Sequence, residues 1–364
     1  MVSIKDIAEK AGISRGTVDR VLHGRGRVAP ETRELVLSLA KEMGYTPSAA
    51  GMALAAHKKK LCLGMFYYTG TEAPFFLPVE QAARTKAAEL EQLGCETVFF
   101  PIPVDGSPAA LANLREMLRT SWDRVQGFAV PGVGEELDKL ILEAVKDPEA
   151  LPKPAVFYNM DGSSSGLWDR IGYVGCDYEH SGRIACGLAA RMSGFCGCVL
   201  LISVDSGSIS SSALRIRGFL DEMARRFPEM HAAGTVFAPE PPESVDVAER
   251  ACRMIRENPD IRAVYIANPG NYSICARLQE AAGDRHLCIV TNDLIDERQQ
   301  QMLEDDVISA TICQEPERQG ERPLQLLYEY FAYGTSPDPV WEKTKLEIMI
   351  GQSLQTAAAS PVRQ

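Results

Sequence analysis

The chain has 364 residues, more than a single hydrophobic core usually serves, so two or three domains are expected. Hydrophobic residues make up 45% and charged residues 24%, as in ordinary globular proteins, and no run of 18 or more apolar residues exists to cross a bilayer as a helix. The net charge of −11 argues against nucleic acid binding only on average. Residues 1–60 hold 11 Lys and Arg against 6 Asp and Glu, whereas the remainder holds 27 against 43. Phosphate binding depends on local charge, so a basic head on an acidic body suggests a DNA-binding module joined to a regulatory domain.

The opening residues 1–6 lack a basic stretch followed by an apolar core and do not read as a secretory signal. Ile4 to Ala11 has helical spacing, with Ser3 as its cap. Gly12-Ile13-Ser14 breaks it: Gly12 suits a left-handed turn, and Ser14 can cap a second helix from Arg15 to Leu22. Ala8 is small where the two helices would cross, and Ile13, Val18 and Val21 supply their apolar seam. A third helix is expected from about Pro30 to Met43, with Leu35, Val36, Leu39 and Ala40 facing inward. Three short helices around a glycine turn make a helix-turn-helix unit. Pro47 to Ala56 follows as one Ala-rich helix with Gly51 inside it, too short to be stable until something packs on it.

The stretch from Ser3 to about Ala56 resembles the head of the LacI/GalR family. That resemblance implies that the second helix enters the major groove and that the linker folds as a hinge helix on DNA. By position, Arg15, Gly16, Thr17 and Arg20 would face bases or phosphate. Leu54, with Ala55 beside it, would wedge into a minor-groove step. An arginine can pair bidentately with guanine, and an apolar wedge can unstack a step. Asp19 departs from the small hydroxyl residue common there; a carboxylate repels phosphate and would orient Arg15 or Arg20 or accept from cytosine. Gly16 has no side chain with which to read a base.

From Leu61 on, strand-like runs alternate with amphipathic helices. Expected strands are 61–67, 96–100, 127–130, 155–158, 170–174, 197–203, 235–238, 263–267, 287–291 and 308–313; expected helices include 80–92, 111–119, 213–226 and 247–257. The alternation predicts an α/β body of parallel sheets flanked by helices, in two similar subdomains, with ligand at the carboxyl ends of the strands. Gly132-Val133-Gly134 lacks the third glycine and acidic partner of a dinucleotide fingerprint and reads as a strand-to-helix turn. No phosphate loop, nucleophile elbow or His-Glu-x-x-His pair occurs, so no catalytic set, metal site or cofactor is expected. The ten cysteines form no Cys-x-x-Cys pair, and Cys62, Cys95, Cys186, Cys252, Cys275, Cys288 and Cys313 lie in apolar stretches. Reduced core thiols in a cytoplasmic protein are the expectation.

The body resembles periplasmic sugar-binding proteins, the ribose-type ones most, over about Leu61 to Gly351. The resemblance implies that Phe75 and Phe76 stack on a sugar ring, and that Asn159, Arg215, Asn268, Asp293 and Gln314 bind its hydroxyls. Planar amides, a carboxylate and a guanidinium suit vicinal diols, while the phenylalanines cover C–H faces. Met160 replaces a frequent arginine, which leaves a nucleoside, purine or cyclitol open as the effector. The expected organisation is a head at 1–46, a hinge helix and linker at 47–60, an effector-binding and dimerisation body at 61–351, and a tail at 352–364. The expected partners are a double-stranded DNA operator, a small sugar-like effector in an interdomain cleft and a second copy of the chain, with no membrane.

Overall fold

The computed structural model describes residues 2–22, 28–45, 60–70, 74–132, 135–145, 151–161, 166–203, 210–237, 247–268, 271–333 and 340–354. The hinge segment, with Leu54 and Ala55, lies outside the described residues.

The head consists of α1 (Ile4–Ala11), α2 (Arg15–Leu22) and α3 (Pro30–Glu42). Ser3 and Asp6 form a capping box, each side chain bonding the other's amide, and Gly12 closes α1 in the left-handed conformation at φ 67°. The Ile13 amide then donates to the Ala8 carbonyl, which turns the chain into α2. Ile7, Ala8, Val18, Val21, Leu22, Val36, Leu39 and Ala40 make one buried core. Leu35 departs from expectation: it is 46% exposed. The inward stripe of α3 runs Val36, Leu39, Ala40, and Leu35 sits about 100° round the helix from Val36, on the solvent side.

Further along the chain come two six-stranded sheets with the same plan. The first holds β1 (Leu61–Thr69), β2 (Cys95–Pro103), β3 (Gly127–Val130), β4 (Lys153–Tyr158) and β5 (Trp168–Gly175), with β11 (Val340–Lys343) on its edge. The second holds β6 (Gly197–Ser203), β7 (Met230–Phe237), β8 (Ile261–Ile266), β9 (Cys288–Asn292) and β10 (Ala310–Cys313), with β12 (Glu347–Met349) antiparallel on its edge. Strands β1–β5 are parallel in the order β2-β1-β3-β4-β5, and β6–β10 repeat it as β7-β6-β8-β9-β10. This is a doubly wound order, which places ligands at the carboxyl ends of the strands.

The chain divides into two compact units. Unit 1 comprises residues 1–69, 78–174 and 317–342; unit 2 comprises 70–77, 175–316 and 343–364. Unit 1 is centred on an aromatic core in which Phe66, Phe100, Phe128, Trp122 and Trp168 touch. In unit 2, Leu200, Ile202, Val264 and Ile266 belong to one core and Val199, Leu201, Ala263 and Tyr265 to another. Successive strand residues point to opposite faces, so both faces of the sheet are buried.

All ten expected strands are present, but β7 starts at Met230 rather than Thr235. After Met230 its opening residues are polar or small and carry no strand signal; pairing with β6 from Gly197↔Met230 onward extends it. The ten cysteines are free thiols, with Cys196, Cys198 and Cys313 half-buried and the other seven, Cys176 included, buried.

Candidate functional site

The second helix of the head exposes polar residues. Arg15, Gly16 and Arg20 are exposed on α2, and Thr17 is half-buried. Arg20 lies along the helix: its Nε donates to the Gly16 carbonyl at 3.1 Å and its Nη2 to Thr17 Oγ1 at 3.2 Å. Ser14 Oγ accepts from the Thr17 amide at 3.1 Å and lies 2.9 Å from the Thr17 hydroxyl. A Cβ on Gly16 would meet only Ser14 Oγ, at 3.8 Å, so packing does not require glycine there. Burial first, and the charge of Asp19 second, hold the Tyr45 phenol above its ordinary pKa.

A second polar group is built inside unit 2, at the carboxyl ends of β8, β9 and β10. It gathers Arg215, Asp293 and Gln314. Arg215 lies on α8 (Ser211–Arg226), which packs backbone to backbone on α7 (Tyr178–Met192): a Cβ on Gly218 would lie 2.0 Å from the Glu179 carbonyl. That approach brings the Arg215 guanidinium over the Tyr178 ring at 4.8 Å. Its Nη1 donates to the Ala267 carbonyl at 3.1 Å, and its Nη2 lies 3.8 Å from Asp293 Oδ2. Gln314 Nε2 donates to the same Oδ2 at 2.8 Å. Arg215 is 1% exposed and Asp293 3%. Burial disfavours the charge of Arg215, but the electrostatic interactions around it, that of Asp293 foremost, together outweigh burial and raise its pKa. Burial likewise pushes Cys176 and Tyr265 up to about 12, so both are neutral neighbours of the ion pair.

Asp293 takes a left-handed backbone at φ 58°, uncommon for a residue with a side chain. It is pinned there: its amide donates to Ile312, and its carbonyl accepts from Gln299 Nε2 at 2.6 Å and Thr311 Oγ1 at 2.9 Å. Asn292, one residue earlier, ties the ends of β8 and β9 together through Tyr265 and the carbonyls of Ile266 and Ala267, and accepts from Ser181. Asn268 is linked to the group through Ser212 of α8, with Nδ2 to Oγ at 3.4 Å.

The other expected residues stand elsewhere. Asn159 is in unit 1, just after β4, at φ 60°. Its Nδ2 lies 3.4 Å from Oε1 of the buried Gln319 on α12 (Pro316–Tyr333), and its carbonyl accepts from the Tyr173 hydroxyl at 2.7 Å. Met160 is set against Gly132, where a Cβ would come within 2.3 Å of the methionine. Phe75 is buried and Phe76 half-buried, and they meet edge to face at 5.4 Å. Gln319, Tyr178, Cys176 and Asn292 escaped the sequence reading. Only Asn292 had a usable signal, its place at the end of an apolar strand. Among the described residues, no group of three or more His, Cys, Asp or Glu could hold a metal ion, and no helix is long and apolar enough to cross a membrane.

Fold and geometry together define a class: a helix-turn-helix head joined to an α/β binding body of two doubly wound units. Residues 3–48 match the family model of bacterial regulatory proteins of the lacI family, and residues 64–335 match that of the periplasmic binding protein domain. The chain belongs to the periplasmic binding protein domain family through its body, and its head is a lacI-family helix-turn-helix domain. It is 40% identical over 82 residues to the HTH-type transcriptional repressor PurR of Pasteurella multocida, and 55% identical over 56 residues to the sucrose operon repressor of Klebsiella pneumoniae. These matches cover 22% and 15% of this chain, and the chain spans only 24% and 17% of those relatives. In fold it is similar to GanP, a glucose-galactose binding protein from Geobacillus stearothermophilus (TM-score 0.63, 20% identity, 81% of this chain and 99% of that one). It is also similar to a solute binding protein from Agrobacterium vitis solved with α-D-tagatopyranose (TM-score 0.63, 20% identity, 82% and 97% of the two chains).

Proposed function

We propose that the chain is a sequence-specific DNA-binding repressor of the cytoplasm, acting as a homodimer or larger assembly, whose operator affinity changes when unit 2 binds a small, neutral, hydroxyl-rich molecule. In this reading, residues 1–46 bind DNA, 47–60 form the hinge, and 61–351 bind effector and a second copy. The observation that carries the ligand class is the buried group around Arg215. Arg215 and Asp293 balance each other's charge, so a ligand of either sign would leave one charge in excess. A neutral polyol can donate to the carboxylate and accept from the guanidinium, and Arg215 Nε is a buried donor with no hydrogen-bond partner among the described residues. The sugars named for the structural neighbours and the sucrose operon repressor agree with that class. The exposed Arg15 and Arg20 on α2, in a basic head, support the DNA role.

The neutral amide of Gln314 beside the ion pair also suits a nucleoside or cyclitol. A thermal-shift screen of the full chain against sugars, polyols and nucleosides decides between them. A bound ligand at many times its Kd raises stability by a few kcal/mol. Operator titration with and without the hit then reads the coupling between the two sites. Operator binding retained by residues 61–364 alone would refute the role given to the head.

A further inference from the structure

The amino ends of β6 and β8 carry an arrangement unrelated to the polar group at the carboxyl ends. Cys196 and Cys198 are separated by one glycine, and both are half-buried, whereas seven of the other eight thiols are buried. Between the two lies a charge pair, Arg262 and Asp260, with Nε to Oδ1 at 3.7 Å. Arg262 Nη1 donates to Cys196 Sγ at 3.1 Å, and the Cys198 thiol donates to Asp260 Oδ2 at 3.6 Å. One sulfur therefore faces a cation and the other an anion. Gly197 permits this: it sits at φ 88°, and a Cβ there would come within 2.8 Å of Arg262 Cδ, blocking the arginine from Cys196. Burial, then the hydrogen bond and charge of Asp260, keep Cys198 a thiol by raising its pKa.

We propose that Cys196 and Cys198 form a redox-active thiol pair that reacts with hydroperoxides, Cys196 attacking and Cys198 resolving. A guanidinium beside a sulfur favours its thiolate, which is the nucleophilic form. The Cys196 thiolate attacks one peroxide oxygen, breaks the O–O bond and becomes a sulfenic acid; the other oxygen leaves with a proton as an alcohol or water. Cys198 then gives its proton to Asp260 and attacks the sulfenic sulfur. The S–S bond forms as hydroxide leaves, and that hydroxide takes the proton from Asp260 to become water. Two thiols are oxidised and one hydroperoxide is reduced; an external dithiol then returns the disulfide to two thiols by exchange and is itself oxidised. Two thiolates and a carboxylate could also suggest a soft metal, but Arg262 at Cys196 opposes a cation there.

The test treats the full chain with hydrogen peroxide at neutral pH and reads each thiol by mass spectrometry. The expected result is loss of two hydrogens from the segment holding Cys196 and Cys198, before the half-buried Cys313 changes. Cys198→Ser should stop at a Cys196 sulfenic acid that a 1,3-dione traps. Arg262→Gln, which removes the cation 3.1 Å from the Cys196 sulfur, should slow the reaction. Oxidation of Cys313 first overturns the proposal, as does zinc shielding both thiols from alkylation while peroxide leaves them unpaired. An unchanged rate in Arg262→Gln removes the role assigned to that arginine and with it the reason for Cys196 to attack.

Discussion

Gly182 of α7 lies directly against Arg215 of α8: a Cβ added to the glycine would come within 1.9 Å of the Arg215 carbonyl oxygen. The contact is between backbones, so no rotamer change can relieve it. Gly182→Ala should therefore force the two helices apart and destabilise the chain by about 1–3 kcal/mol. The Tyr178 ring over the Arg215 guanidinium should be displaced as well. Urea unfolding measures the first effect and the thermal shift with a ligand found by screening measures the second. Unchanged values in both would mean that the close approach does not position Arg215.

Asp293 is better probed by two substitutions than by one. Asp293→Ala leaves the buried Arg215 charge uncompensated and should cost about 3–5 kcal/mol of stability. Asp293→Asn keeps the shape and tolerates the left-handed backbone, so its stability loss should be the smaller of the two. Its ligand affinity should still fall by about one to two powers of ten, the worth of a charged hydrogen bond. Calorimetry on the asparagine variant checks this, and operator binding by the unliganded protein should stay close to wild type. Unchanged ligand affinity would remove Asp293 from the binding site.

On the head, Arg20→Ala should weaken specific operator binding by about 1–3 kcal/mol if the arginine reads a base, and relax specificity at one position. Arg20 is exposed and its hydrogen bonds go to Gly16 and Thr17 on its own helix, so the fold should not suffer. A uniform loss over all duplex sequences, with a shallower salt slope, would instead make it a phosphate contact.

Leu54→Ala should weaken specific binding and reduce DNA bending, because an unstacked step loses its apolar wedge. Non-specific binding, driven by phosphate, should change little. Gel-shift bending assays on one operator read both quantities; wild-type affinity and bend angle together would end the hinge-helix reading.

Asp177 caps α7 through the His180 amide and receives Lys343 Nζ at 2.7 Å. Burial alone would raise its pKa; the Lys343 hydrogen bond, then the capping amide, hold it below the ordinary aspartate range. A folded pKa below the unfolded one stabilises fully above the unfolded value, and that stabilisation is lost as pH falls through the folded value. Lys343→Met should raise the Asp177 pKa and reduce the stability gained between acid and neutral pH. An NMR titration of the Asp177 carboxyl checks the sign, and an unshifted midpoint would contradict it.

Much of the fold was legible because its signals are local. Ser3, Gly12 and Ser14 punctuate the head through bonds to residues three or four positions away. The apolar runs at Gly127–Val130 and Gly197–Ser203 are strands buried on both faces, and they ended where the sequence suggested. Asp293 and Gln314 stood out because they lie at the ends of late strands, where the family resemblance implies hydroxyl-binding groups. Leu35 misled for a related reason: hydrophobicity marks a helix but not which of two adjacent apolar residues faces the core.

By itself, the sequence determined the helix-turn-helix, the alternation of strands and helices, and the strand ends from which polar side chains project, since each depends on residues close in the chain. The tertiary structure alone decided which of those side chains meet. Arg215 reaches Asp293 across 78 positions only because α8 packs on α7 through glycines and because β8, β9 and β10 lie side by side. The same crossovers put Asn159 against Gln319 in the other unit, 160 positions away. The pairing of Cys196 with Arg262 likewise depends on β6 and β8 being neighbours in the sheet while β7 lies on the far side of β6. Polar residues have no periodicity to announce such partners, because what fixes them is the order of strands in a folded sheet.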